Sequence, residues 1–106
     1  MIMDIMKNAD FMAVWAYAHA LRRGKTRNDM THEEIYDGIK QELEEFKQAT
    51  DAPSENLPQF SQRQEELADI ILACMAELCK ECAAKNNEYN PADVLVAKNE
   101  YNAKRD

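Results

Sequence analysis

Glycine and proline are scarce in this chain, with two and three among 106 residues. Sheets and sandwiches turn the backbone at short intervals and draw on these residues to do so. Their scarcity argues against a many-stranded fold and predicts an all-α chain of a few long helices. Long apolar runs are missing too. The longest, Phe11–Ala18 and Ile70–Ala76, fall well short of the about 20 residues that cross a bilayer, so no membrane span is predicted. The residues ahead of the first run carry Asp4, Lys7 and Asp10 and do not read as a secretory peptide. Positive charge is the minority: 13 basic residues against 20 acidic give a net charge of −7. Nucleic-acid binders carry a basic footprint and anionic membranes attract basic segments, so neither partner is expected. Cysteine is limited to Cys74, Cys79 and Cys82. An odd, clustered set does not suggest a disulfide framework, and a reducing cytoplasm is the expected location.

With 45% hydrophobic residues the chain is expected to form one domain over residues 1–106. Start and stop signals place four helices. The first covers about Asp4–Arg23 and ends at Gly24. The second opens at Thr31, where Glu34 completes a capping box, and runs to about Thr50. The third opens at Ser61 with Gln64 and continues to about Lys85. The fourth is announced by Asn90-Pro91, an N-cap followed by proline at the first helical position. Asp51–Phe60 is left as the longest irregular stretch, a candidate mobile loop.

The acids do not fall where solvated charges should. Projected at about 100° per residue, Ile35, Tyr36, Ile39, Leu43, Phe46 and Ala49 form one apolar arc, with Glu42 inside it and Glu45 at its edge. An acid within a core-facing stripe is costly without a partner or a metal. On the third helix, Glu66 and Asp69 share a face just ahead of Ile70–Ala76, a run apolar on every side that predicts burial by several neighbours. If the two helices pack antiparallel, four carboxylates converge and repel one another. A hard divalent cation resolves the repulsion, and oxygen-only ligands suit Mg²⁺ or Mn²⁺. Near the end of the chain, Lys98, Asn102 and Arg105 recur on one helical face, a pattern that can grip phosphate oxygens.

Together these residues resemble the MazG-like all-α nucleotide pyrophosphohydrolases, whose signature is an ExxE pair, a gap, and then ExxD. Glu42-Leu-Glu-Glu45 and Glu66-Leu-Ala-Asp69 fit, as does the closing KxxxNxxR in Lys98, Asn102 and Arg105. The likeness covers about Ile35–Arg105. Gln41 stands where an acid often precedes the first motif, and the four principal ligand positions are filled. The resemblance implies a four-helix-bundle-like, MazG-type fold and Mg²⁺-dependent cleavage of a nucleoside triphosphate between its α and β phosphates. It further implies that Glu42, Glu45, Glu66 and Asp69 hold metal, with one of them or Glu77 orienting water. Lys98 and Arg105 would meet phosphates, and Asn102 would orient the nucleotide. The phosphoribosyl-ATP pyrophosphohydrolases share the acidic motifs, but they usually follow theirs with an aromatic-His pair, where this chain has Ile70-Ile71. A non-catalytic helical module whose acidic face binds a basic partner is the alternative of another class.

Trp15 is a candidate base-stacking residue, although aromatics in an apolar helix are more often core, and the same holds for Tyr17. Cys79-Lys-Glu-Cys82 has CxxC spacing without the four ligands of a structural zinc site. His32-Glu33 begins a metalloprotease pattern that Tyr36 ends, and the ExxH pairs of di-iron bundles are missing. Because Ile70–Ala76 is hard to cover with three other helices, the bundle is expected to be completed by oligomerisation, as a homodimer or homotetramer.

Overall fold

The computed structural model describes residues 1–105 and, apart from Ile2, their side chains. The chain forms four helices: α1 (Ile2–Arg22), α2 (His32–Gln48), α3 (Gln62–Ala84) and α4 (Pro91–Ala103). Among the described residues no strand forms, beyond an isolated bridge between Pro53 and Ser61. The predicted all-α class holds, and no helix among these residues is long and apolar enough to cross a membrane.

The helix ends follow local chemistry. At the end of α1, Gly24 takes φ +71°. Lys25 N–H then reaches back to the Ala20 carbonyl at 2.8 Å, and Gly24 N–H reaches Leu21 at 3.1 Å. This is the Schellman pattern, which satisfies carbonyls that the helix leaves unpaired. Capping boxes open α2 and α3. Thr31 Oγ1 accepts from Glu34 N–H while Thr31 N–H donates to the Glu34 carboxylate, and Ser61 and Gln64 repeat the exchange. A second Schellman turn closes α3, with Asn86 at φ 58° and Asn87 N–H donating to Cys82 at 2.9 Å. Asparagine tolerates this left-handed backbone better than most residues.

One cap comes from another helix. Ala92 N–H, in the first turn of α4, donates to Asp10 Oδ1 of α1 at 2.8 Å, and Pro91 and Ala92 are buried there. This contact fixes α4 against α1.

The segment between α2 and α3 is more ordered than its composition suggests. Ser54 is fully buried. Its N–H donates to the Phe60 carbonyl, and its hydroxyl donates to Glu65 and accepts from Leu57 N–H. Arg63 pairs with Asp51 at 2.6 Å, and the Gln62 side chain accepts from Thr50. A candidate mobile loop on sequence is thus closed by its own hydrogen bonds, because the ends of α2 and α3 must meet to make the turn.

α3 is the central element: α1, α2 and α4 all pack on it, and α4 also packs on α1, whereas among the described residues α1 and α2 do not pack on each other. The fully enclosed positions are mostly small, namely Ala13, Ala76, Cys82 and Ala92, which permits close approach at the helix crossings. The expected burial of Ile70–Ala76 is only half met. Ala76 is buried, but Ile71, Leu72 and Cys74 are exposed, as is Leu67 one turn earlier. Three neighbours cover part of the α3 circumference and leave an apolar strip in solvent. Phe11, Val14 and Trp15 of α1 are also more than half exposed.

Candidate functional site

Because α1 and α2 both lean on α3 with their backbones held apart, a groove opens between them with α3 as its floor. Its volume is about 680 Å³, within the range of small-molecule pockets. α1 contributes Trp15 and His19, α2 contributes Glu42 and Glu45, and α3 contributes Asp69 and Glu77.

At the α2–α3 crossing, Glu42, Glu45 and Glu66 bring carboxylate oxygens within 4.8 Å of one another. The projection of Glu42 among Ile35, Ile39 and Phe46 explains its position: these residues are half-buried where α2 packs on α3, whereas Tyr36 and Leu43 of the same arc stay exposed. Glu66 approaches from the first turns of α3. Glu42 Oε2 and Glu66 Oε2 are both buried and have no hydrogen-bond partner. Such atoms are rare in folded proteins and call for an explanation. Asp69 lies outside the closest group but lines the same groove.

The electrostatics agree with the crowding. Burial, followed by the charges of Glu45, Asp69 and Glu66, pushes the Glu42 carboxyl above its ordinary range. Burial, then Asp69 and Glu45, does the same to Glu66. Asp69 is also raised, by burial first and then by Glu65 and Glu45, while Arg23 and Lys25 pull it back. Three acids are thus held in a site that resists their ionisation, which is what a divalent cation would relieve. The donor set is all oxygen and suits a hard cation.

The other residues singled out in the sequence lie as follows. Trp15 lines the groove, half exposed, with its ring 5.5 Å from that of His19 and 6.2 Å from that of Phe11. Tyr17 does not face it, and instead donates to Asn28 in the α1–α2 connector. Lys98 and Asn102 lie on α4, whereas Arg105 falls just past its end, so the helical face expected to carry all three stops short of Arg105. Lys98 sits 4.9 Å over the Tyr101 ring, Arg105 sits 5.7 Å from it, and Arg105 reaches Asn102 at 3.4 Å. They do not line the carboxylate groove of their own chain; Lys98 belongs to a separate shallow depression with Tyr89 and Tyr101. The reason is topological: α4 is tied to α1 at Asp10, while the acids stand on α2 and the opening turns of α3. All three cysteines are free thiols, and burial pushes each above its usual range, which makes them poor nucleophiles.

Glu77 faces the groove, but its carboxylate is already occupied. Both oxygens accept from Thr26 Oγ1, at 2.8 and 3.0 Å, and Oε1 pairs with Lys80 Nζ at 2.7 Å. Lys80 Nζ also donates to Thr26 Oγ1 at 2.8 Å and to the Arg27 carbonyl at 3.0 Å. This buried network holds the connector onto α3. The sequence shows little sign of it: Thr26 sits in a non-periodic segment, and Lys80 carries no motif. Arg23 and Lys25, which line the groove, were likewise visible only as flanks of a helix-ending glycine.

In comparison with known proteins, no family model, no curated protein and no solved structure matches the chain.

Proposed function

We propose that the chain is a Mg²⁺-dependent nucleotide pyrophosphohydrolase of the MazG-like type, which adds water across the α–β anhydride of a nucleoside triphosphate to give a monophosphate and pyrophosphate. The observation that carries this reading is the meeting of Glu42, Glu45 and Glu66 at 4.8 Å or less, with two buried oxygens left unpartnered. The motif order ExxE, ExxD and KxxxNxxR supports it.

Glu42, Glu45 and Glu66 would hold Mg²⁺, with Mn²⁺ as a substitute, and Asp69 completes the ligand set. The bound cation would supply charge neutralisation on the phosphoryl oxygens and a lowered pKa for attacking water. The chain itself contributes orientation. Trp15 offers a ring face to the base from the α1 wall, and Glu42 and Glu66 each offer one buried, unpartnered oxygen. Glu77 is fully engaged with Thr26 and Lys80, so it serves the groove wall rather than the water.

The same reading makes the protein a homodimer or homotetramer. The exposed strip of Leu67, Ile71 and Leu72 and the exposed Phe11 and Val14 supply apolar surface for a second copy. Lys98, Asn102 and Arg105, which are remote from the acids of their own chain, would then reach the groove of a neighbour. A screen of standard and modified nucleoside triphosphates, followed by ³¹P NMR, tests the reaction. Monophosphate and pyrophosphate are the expected products; diphosphate with orthophosphate, or no turnover of any nucleotide, would contradict it.

A further inference from the structure

The acids of the groove explain how it would hold a cation and leave open how a net-negative protein retains a polyphosphate. Two residues on the α1–α2 connector supply an answer. Among the described residues, Arg23 and Lys25 are the only lysine or arginine side chains that line the cavity. Among the described residues neither makes an ion pair. Other cations nearby are engaged: Arg22 contacts the His19 ring at 3.0 Å, Arg27 pairs with Asp29 and Glu34, and Lys80 pairs with Glu77. The C-terminal end of α1 favours basic residues in general, which accounts for Arg22 as well as Arg23. It does not account for two unpaired cations facing the acidic cavity from either side of Gly24.

The segment that carries them is held firmly. The Schellman turn fixes Gly24 and Lys25 on the end of α1. One residue later, buried Thr26 is locked to Glu77 and Lys80 of α3. Tyr17 ties Asn28 back to α1. The backbone that carries these cations is therefore ordered before a ligand arrives, which leaves only their side chains to be fixed on binding. Both also act on Asp69 across the groove, opposing the acids that raise it, so acid and base fields overlap there. An anion that enters between them would meet metal on one side and guanidinium or ammonium on the other, and Arg in particular suits phosphate oxygens.

We propose that Arg23 and Lys25 form the same-chain polyphosphate clamp of this groove, gripping the phosphates that lead away from the metal while Trp15 and His19 border the nucleoside end. This deepens the pyrophosphohydrolase reading and rests on it for the identity of the substrate.

The test uses the full chain and inorganic tripolyphosphate with Mg²⁺ as the probe. Binding is measured by calorimetry for wild type, R23Q, K25Q, the R23Q/K25Q double variant, the charge-keeping R23K/K25R variant, and K85Q as a control for net charge. Mg²⁺ binding without tripolyphosphate and pyrophosphate release from nucleotide are measured in parallel. The double variant is expected to weaken tripolyphosphate by about tenfold or more and to raise KM more than it lowers kcat. Its Mg²⁺ affinity should stay the same or tighten, and R23K/K25R should keep most of the binding. Wild type that does not bind tripolyphosphate, or a double variant within twofold of K85Q, would overturn the clamp. Binding that depends on Arg23 and Lys25 in a protein that hydrolyses no nucleotide would support the clamp and contradict the hydrolase reading instead.

Discussion

Glu42 of α2 and Glu66 of α3 bring carboxylate oxygens within 4.8 Å of one another, and each keeps its Oε2 buried without a hydrogen-bond partner. Two like charges so placed oppose folding unless something neutralises them. Stability and metal binding are therefore linked at this pair.

The first consequence concerns Glu42→Gln. Gln removes one charge from the cluster and adds an amide donor for its neighbours. Metal-free protein should become more stable, on the order of 1 kcal/mol, which corresponds to a Tm increase of about 4–8 °C for a chain of this size. The same variant should lose most of the Tm increase that Mg²⁺ gives wild type. Thermal melts in EDTA and in excess Mg²⁺ check both signs.

The pH dependence has a defined direction. Glu42, Glu66 and Asp69 are held above their ordinary range, chiefly by burial. The folded state therefore binds more protons than the unfolded state between the ordinary carboxyl pKa and the raised one. Stability from this cluster is fully present below the ordinary value and is lost as pH rises through the raised values. Glu34, lowered by its bonds to Thr31 and Arg27, acts in the opposite sense and at lower pH. In EDTA, Tm should fall from mildly acidic toward neutral pH, and Glu42→Gln should flatten that slope. Saturating Mg²⁺ should reverse it, because the bound cation requires ionised carboxylates.

The Thr26–Glu77–Lys80 network should be worth more to stability than any surface pair. Glu77 and Lys80 side chains are only 15% and 11% exposed, so Lys80→Met strands a carboxylate and should cost about 3 kcal/mol. Converting Glu77 to Leu in the same chain should recover much of that loss, since an apolar pair removes both charges. Urea unfolding of the two single variants and the double variant measures the coupling.

Asp10→Ala should cost about 1 kcal/mol by leaving Ala92 N–H without its acceptor, while Asp10→Asn should retain most of the cap. Hydrogen exchange at Ala92 distinguishes loss of this cap from a general loosening.

What the sequence disclosed, and what it did not, follows the range of the interactions. The capping boxes at Thr31 and Ser61, the stop at Gly24 and the start at Asn90-Pro91 are encoded within a few residues, and the helices fall within two residues of the predicted ends, except at the open-ended close of α4. The intrusion of Glu42 into an apolar arc was legible because periodicity alone fixes a helix face. Asp10 as the cap of α4, Lys80 as the anchor of Thr26, and Ser54 as the buried pivot of the α2–α3 turn join residues far apart or aperiodic in the chain. No local pattern reports such pairings. The placement of Lys98, Asn102 and Arg105 away from the acids belongs to the same class, since it depends on where α4 docks.

The most direct test of the central claim is Mg²⁺-dependent pyrophosphate release by wild type, Glu42→Gln and Asp69→Asn, compared at equal helicity. Wild type should release pyrophosphate only when Mg²⁺ or Mn²⁺ is present, and both variants should lose that activity while remaining folded. Unchanged turnover in the two variants, or wild-type release that EDTA leaves intact, would contradict the assignment of these carboxylates to a catalytic metal site.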